Sequence, residues 1–136
     1  MFFTADNKQA EAAWDAIQTF YDLVSPGAGR GAVMLLPAHD TLPDEGLLPH
    51  PDISEKRAIA LWKLAQGQAA IVVAPLAAAA MRLEAPEFYA GLAQTVRRGD
   101  TLGIDALVGH LEAVGYTRGE PVEMVGQFAV RGVIVD

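Results

Sequence analysis

The sequence contains no cysteine and only three lysines among its 136 residues. Without cysteine the chain has no disulfide, no thiolate nucleophile and no zinc site built from cysteine. The uncharged run of residues 67–81 is interrupted by Pro75 and is too short to cross a bilayer. The first residues carry neither a basic flank nor a long apolar stretch, so no signal peptide is predicted. We therefore expect a cytoplasmic protein with no membrane partner.

Positive charge is also scarce. Ten Lys and Arg residues stand against 17 Asp and Glu, which gives a formal net charge of −7 and a sequence pI near 4.8. A surface this acidic repels phosphate groups, so direct binding of nucleic acid by this chain is disfavoured. The composition, 51% apolar and 20% charged, is that of a globular domain.

The first half of the chain alternates short apolar runs with helical periodicity. Asp6 with Gln9, and Asp52 with Glu55, have the spacing of helix N-terminal capping boxes, and Gly67 is a predicted helix stop. These features predict strands over residues 1–4, 32–36 and 69–74, with helices between them and a short Ala-rich helix over residues 76–83. Such an order is typical of a parallel βαβαβ sheet.

The second half changes character. A helix is predicted over residues 104–114, and two β segments, residues 121–125 and 128–135, are predicted to pair as an antiparallel hairpin joined at Gly126-Gln127. We place a domain boundary near Ala85. The expected fold class is α/β, with a truncated parallel βαβαβ piece in residues 1–85 and a small α+β domain in residues 86–136. Both ends of the chain are abrupt, so we expect a fragment of a larger protein.

No nucleotide-binding motif is predicted. A P-loop needs Gly-Lys followed by Ser or Thr, and none of the three lysines follows a glycine. The stretch Gly-Ala-Gly-Arg-Gly at residues 27–31 resembles a dinucleotide fingerprint, but it follows a helix and precedes a strand, whereas the fingerprint follows a strand and opens a helix. We therefore expect no cofactor and no catalysis by this chain.

A Pro-rich loop offers an alternative. Residues 37–51 contain four prolines, and the loop and its flank carry the polar side chains His39, Asp40, Asp44, Glu45, His50 and Asp52. Imidazoles and carboxylates at this density suit a divalent metal or acid–base chemistry, which would make the chain a small metal-dependent α/β hydrolase. Against this reading, no pair has the helical spacing of common metal motifs. The metal site is the less favoured hypothesis.

One arginine stands out. Arg131 lies inside the apolar run of residues 128–134, where strand alternation places it on the face opposite Val130, and Gly132 beside it suggests a bulge or a close backbone approach. Arginine is enriched in protein interfaces because its planar guanidinium pairs with carboxylates while its stem packs on apolar surface. A charge held on a rigid strand suits recognition of a partner.

Residues 126–136, Gly-Gln-Phe-Ala-Val-Arg-Gly-Val-Ile-Val-Asp, resemble the G-x-[FY]-x-x-R-G-x-h-h-D motif shared by bacterial transcription-repair coupling factors (Mfd) and the excision-repair subunit UvrB. Residues 111–118 resemble the L-x-x-x-G-Y-x-R that precedes this motif. Leu42-Pro43 and residues 49–53, with Arg57 and Leu61, resemble the coupling factors more closely than UvrB, although His39 replaces an aromatic usual in that loop. The aromatic hairpin by which UvrB grips DNA has no counterpart here. The chain is thus most similar to the N-terminal UvrB-homology region of the coupling factors, with a fragment of UvrB itself as the alternative.

The resemblance implies a degenerate nucleotide-fold piece in residues 1–85 and a partial UvrA-binding domain in residues 86–136. In that family the parent protein contacts DNA, displaces stalled RNA polymerase with a separate ATP-dependent motor, and recruits UvrA. The resemblance assigns the UvrA contact to Arg131, Gly132 and Phe128, and implies further contacts on strands after Asp136. If the last strand is left unpaired on one edge, we also expect a tendency to form homodimers through it.

Overall fold

The computed structural model describes residues 1–27, 31–41 and 49–136. They form two compact units, Met1–Gly91 and Leu92–Asp136, so the division falls a little after Ala85. The helices and strands of the first unit are, in order, β1 (Phe2–Thr4), α1 (Asn7–Val24), β2 (Val33–Leu35), α2 (Pro51–Ala65), β3 (Ile71–Pro75), α3 (Leu76–Ala79) and α4 (Pro86–Gly91).

Helix α1 begins where its sequence predicts. The side chain of Asp6 accepts a hydrogen bond from the Gln9 N–H at 2.8 Å, which confirms the predicted cap and satisfies one of the free amides of the first turn. The Gln9 side chain reaches back to the N–H of Ala5, at 3.4 Å, rather than to that of Asp6. In a regular capping box this side chain bonds the N–H of the N-cap residue itself, whereas here it bonds the N–H of the residue before the N-cap.

The N-cap of helix α2 lies two residues before the predicted one. His50, not Asp52, is the N-cap residue, and its Nδ1 accepts a hydrogen bond from the Asp52 N–H at 3.3 Å. Proline has no N–H that needs a partner, and its fixed φ suits the first helical position. Pro51 is therefore the first residue of the helix, and His50 caps it. The predicted stop is confirmed, because Gly67 follows the helix with φ +67°, a conformation that glycine adopts without strain.

The sheet of the first unit is parallel throughout, with strand order β1-β3-β2. This confirms the parallel βαβαβ sheet. Val73 of β3 pairs with Phe2 on one side and with Leu35 on the other. The central strand β3 therefore holds the two outer strands together.

The two faces of the sheet carry separate apolar clusters. Because successive side chains of a strand point to opposite faces, β2 and β3 each supply residues to both clusters. The cluster on the α2 side contains Met34, Leu36, Ala60, Leu61, Val72, Ala74 and Ala78, and the cluster on the α1 side contains Ala10, Val33 and Val73, with Trp14, Ile17 and Tyr21 packed against it. Helices α1 and α2 thus cover opposite faces.

The outer edge of β2 is closed by side chains of both helices. The indole Nε1–H of Trp14 donates a hydrogen bond to the carbonyl oxygen of Val33 at 3.0 Å. Lys56 of α2 forms an ion pair with Glu11 of α1, with Nζ and Oε1 3.1 Å apart. Since the helices lie on opposite faces, this ion pair joins them around the edge of the sheet.

The end of β2 is fixed by two polar side chains. The amide of Asn7, the first residue of α1, donates to the carbonyl oxygen of Ala38 at 3.0 Å and accepts from the Ala38 N–H at 2.8 Å. Arg57 of α2 is only 6% exposed and donates from Nη1 to the carbonyl oxygen of Pro37. Burial lowers the pKa of Arg57. Both helices are therefore bonded to the backbone that leaves the sheet.

The short helix α4 has no counterpart in the sequence prediction. The sequence predicts only a domain boundary near Ala85 here, whereas in the structure Pro86 is the first residue of a helix, a position that proline favours. Tyr89 of α4 packs against the cluster on the α2 side, and its hydroxyl accepts a hydrogen bond from the Glu84 N–H at 3.1 Å.

The second unit contains a helix and short strands. They are α5 (Ile104–Ala113), β4 (Thr117–Arg118), β5 (Gln127–Phe128), β6 (Val130–Arg131) and β7 (Ile134–Val135). Strands β4 and β5 are parallel, and β6 and β7 form an antiparallel hairpin. The structure thus has a C-terminal antiparallel hairpin, and the overall class is α/β as predicted.

The hairpin lies at a different turn from the predicted one. Residues 121–125 form no strand, so the expected hairpin around Gly126-Gln127 is wrong. The Gln127 side chain explains this, because its Oε1 accepts hydrogen bonds from the N–H groups of Glu123 and Met124 at 2.9 and 3.1 Å. These bonds fold the segment into a turn, so the N–H groups of Glu123 and Met124 are not available to pair with a neighbouring strand.

No helix of the described residues is both long enough and apolar enough to cross a membrane.

Replacing Arg57 with methionine should lower the free energy of unfolding by about 2 kcal/mol, because the buried carbonyl oxygen of Pro37 then loses its donor. Urea denaturation followed by far-ultraviolet circular dichroism measures this change. Arg82→Met, at an exposed position, is the matched control and should leave the midpoint nearly unchanged. Equal midpoints for the two variants would contradict a structural role for Arg57.

Candidate protein-docking site

The C-terminal hairpin has a two-residue turn. Arg131 pairs with Ile134, so Gly132 and Val133 form the turn between the strands. Gly132 has φ +62°, and a glycine with positive φ at the first turn position is the pattern of a type II′ hairpin turn. Gly132 is therefore needed for the turn conformation. The structure has a turn at this glycine and not the bulge suggested from the sequence.

Strand alternation sets the direction of each side chain on the hairpin. Arg131 and Ile134 are directly opposite one another, and the backbones of Ala129 and Asp136 exchange two hydrogen bonds of 3.1 and 3.0 Å. These four residues share one face of the hairpin, while Val130 and Val135 lie on the other face. Arg131 therefore lies on the face opposite Val130, as the alternation predicts.

Arg131 is exposed and lies between two carboxylates. Its side chain is 58% exposed, with Nε 3.6 Å from Oε1 of Glu120 and Nη2 3.5 Å from Oδ2 of Asp136. Charge-assisted hydrogen bonds between such groups are usually 2.7–2.9 Å long, and among the described residues the Arg131 side chain makes no hydrogen bond. The two carboxylates orient the guanidinium by charge, and its N–H donors stay free for another acceptor.

The other residues assigned to this site have different environments. Gly132 is exposed at the turn. Phe128 is only 2% exposed, which is too little for a direct contact with a partner, and its carbonyl oxygen accepts the N–H of Gly119 at 2.9 Å. Phe128 can support the hairpin from inside the protein, but its side chain is not part of the surface around Arg131.

Two apolar residues beside Arg131 were missed in the sequence. Val133 at the turn is 87% exposed and Ile134 is 59% exposed. The apolar run of residues 128–135 suggested buried strand positions, so nothing in the hydrophobicity pattern marked these two as surface residues. The available signal was Gly132, because a glycine with strand residues on both sides indicates a turn inside the apolar run of residues 128–135.

The alternative metal site is not assembled by the described residues. The N–H of His50 donates to Oδ1 of Asp40 at 3.1 Å, and the imidazole of His50 caps α2, with Nδ1 3.8 Å from Oδ2 of Asp52. Within residues 1–27, 31–41 and 49–136, no group of three or more histidine or acidic side chains converges on one point. Asp44 and Glu45, which belong to the same hypothesis, lie outside the described residues, as do Leu42-Pro43 and residues 28–30 of the glycine-rich stretch.

His39 lies near the buried arginine. Partial burial lowers the pKa of His39, the positive charge of Arg57 lowers it further, and Asp40 opposes the change. A neutral imidazole at this position is therefore favoured at neutral pH.

Comparison with known proteins points to one family. No protein-family model matches the chain. The transcription-repair coupling factor of Haemophilus influenzae is 35% identical over 104 residues, which are 76% of this chain and 9% of that protein. The factors of Escherichia coli and Bacillus subtilis are 32% and 31% identical over 104 and 105 residues, 76% and 77% of this chain. The chain thus spans only about 9% of the length of these relatives.

The lowered pKa of His39 predicts a pH dependence of stability. A histidine whose pKa is lower in the folded state binds protons more readily when unfolded, so its contribution is complete above its ordinary pKa of 6.5 and is lost as pH falls through the folded-state value. A proton NMR titration of the His39 ring should give a pKa below 6.5. The variant His39→Gln should lose less stability between pH 7.5 and pH 5 than the unmodified chain. A ring that titrates at or above 6.5 would contradict this assignment.

Proposed function

Because this chain is homologous to one stretch of the transcription-repair coupling factors, we propose that it is a non-catalytic docking module that recruits UvrA to stalled RNA polymerase. The observation that carries this proposal is Arg131, a strand-mounted guanidinium that is exposed and keeps free donors. Its role follows from the resemblance of residues 126–136 to the family motif. UvrA is the partner that this resemblance implies.

The match covers about 100 residues of much longer proteins, 9% of their length. The ATP-dependent motor that the resemblance implies for the parent protein is therefore not in this chain. Contacts with RNA polymerase and DNA belong, in this proposal, to the parent protein. This chain supplies only the adaptor surface.

The two units have separate parts in this proposal. The unit Met1–Gly91 is the degenerate nucleotide-fold piece, in which a parallel sheet is retained without a Gly-Lys-Ser/Thr motif. The unit Leu92–Asp136 carries the hairpin and is the partial UvrA-binding domain. Backbone hydrogen bonds on both sides of the turn keep Arg131 in a fixed place, which lowers the entropy lost when a partner binds.

Each alternative has a specific observation against it. The curated relatives described above are named as coupling factors, not as UvrB, so the coupling factor is favoured over a fragment of UvrB. A metal-dependent hydrolase needs converging ligands, and the described part of the Pro-rich loop uses His50 as a helix cap instead. A stoichiometric metal ion lost in a His50→Ala variant would revive the hydrolase.

Arg131→Ala should weaken UvrA binding by about 2 kcal/mol, or roughly 30-fold, if Arg131 is an interfacial anchor. Isothermal titration calorimetry with purified UvrA measures the affinity of each variant. Arg98→Ala is the matched control, because Arg98 is an exposed arginine of the same unit in the turn at Arg97–Asp100. It should bind as the unmodified chain does.

The outcome is not confounded by unfolding. Both ion pairs of Arg131 are exposed, and exposed pairs contribute about 1 kcal/mol or less, so Arg131→Ala should fold normally. Equal affinities for Arg131→Ala and the unmodified chain would reject the docking role of Arg131. Equal losses in Arg131→Ala and Arg98→Ala would indicate non-specific charge attraction.

We also propose that the chain forms homodimers through the outer edge of β7. Among the described residues β7 pairs only with β6, and an unpaired strand edge is a template for pairing with another chain. Val135 lies between the hydrogen-bonded positions 134 and 136, so its N–H points to the outer edge.

Multi-angle light scattering should therefore show a dimer at high protein concentration. Val135→Pro removes the outward N–H while keeping the hydrogen bonds between Ala129 and Asp136, and it should shift the equilibrium to monomer. A monomeric unmodified chain at every concentration would contradict the proposal.

A further inference from the structure

Val133 is the most exposed of the large apolar side chains in the described residues, at 87%. It buries almost no surface in this chain, so its apolar character adds little to folding. The turn does not require it either, because hairpin turns favour glycine, asparagine, aspartate and serine. A valine at this position is therefore unexplained by the stability of the hairpin.

The position of Val133 joins it to Arg131. Only Gly132 separates them in the chain, and Ile134, 59% exposed, follows on the face that carries Arg131. The hairpin therefore presents an apolar tip, formed by Val133 and Ile134, next to a guanidinium with free donors. Arginine is among the residues that carry most of the binding energy at protein interfaces, and the contacts around such a residue exclude water from it. The apolar side chains of Val133 and Ile134 stand where they can supply those contacts.

We propose that Val133 is the apolar anchor of the docking site, and that it enters an apolar depression on the partner with a carboxylate at its rim. This inference rests on the proposed function and gives the chemistry of the surface that UvrA must offer. The carboxylate is required by charge and shape, because the planar fork of Arg131 matches a carboxylate in two parallel hydrogen bonds. The two-residue turn fixes the backbones of Arg131 and Val133 relative to each other, so one partner surface can contact both side chains.

Two substitutions at this position separate apolar character from shape. Val133→Thr keeps the β-branched shape, and therefore the same turn preference, but adds a hydroxyl that would be buried without a partner. Val133→Ile keeps the apolar surface. Calorimetry with purified UvrA should show about tenfold weaker binding for Val133→Thr, while Val133→Ile should stay within about twofold of the unmodified chain.

The control is Val125→Thr, at an apolar position of the same unit that is 48% exposed and lies outside the hairpin. It should bind UvrA as the unmodified chain does. Titrations at low and high salt add a second readout, since Arg131→Ala should reduce the salt dependence of binding whereas Val133→Thr should not.

The outcomes distinguish the two proposals. If Arg131→Ala weakens binding and Val133→Thr does not, the anchor is wrong and the docking function stands. If the unmodified chain binds no UvrA, or neither variant changes its affinity, the docking function fails and the anchor with it. Equal losses of UvrA affinity in Val133→Thr and Val125→Thr would overturn the anchor. A homodimer of the unmodified chain that Val133→Thr disrupts would overturn it as well, because Val133 would then contact a second copy of this chain and not UvrA.

Discussion

The first unit depends on a single constraint, which is that β3 must be buried on both faces and paired on both edges. Val72, Val73 and Ala74 are at most 4% exposed, and Val73 pairs with both outer strands. Only apolar residues of moderate size fit such a position, because α1 packs on one face and α2 on the other. A polar or larger side chain at Val73 would disturb one helix and both neighbouring strands together.

The polar contacts of the first unit complete this arrangement at one end of the sheet. Asn7 and Arg57 bond the backbone of residues 37 and 38, so the chain leaves β2 in a defined direction. Open parallel α/β sheets commonly bind ligands beyond the carboxyl ends of their strands. In this unit, the side chains of Asn7 and Arg57 at the carboxyl end of β2 hold the protein's own backbone.

The sequence predicted the parallel sheet because its signals are local. The apolar runs of β2 and β3, the cap at Asp6 and the stop at Gly67 each depend on residues close together in the chain. The start of α2 was misplaced because the cap at Asp52 and the proline effect at Pro51 compete, and only the structure shows which one decides. The hairpin was misplaced for a different reason. The Gln127 side chain bonds the amides of residues 123 and 124, and no periodicity of hydrophobic residues reports a side chain that folds back on the backbone.

In the candidate site, too, some features are visible in the sequence and others only in the fold. Arg131 was singled out because a charge inside an apolar strand is visible in the sequence, and in the structure its side chain is 58% exposed. Val133 and Ile134 were not identified, since their hydrophobicity is that of core residues and only the two-residue turn brings them to the surface. Exposure of an apolar residue is a property of the fold, whereas the presence of an unusual charge is a property of the sequence.

The closed edge of β2 makes the first sheet asymmetric. Trp14 occupies an outward carbonyl of β2 and the Glu11–Lys56 pair spans that side, whereas β1 at the opposite border has Phe2 and Phe3 about half exposed, at 48% and 49%. In this sheet, and within the described residues, the edge of β1 therefore offers an additional strand unpaired backbone groups beside exposed apolar side chains. The edge of β1 therefore accommodates an additional strand more readily than the edge of β2 does, where the Trp14 indole and the Glu11–Lys56 pair lie.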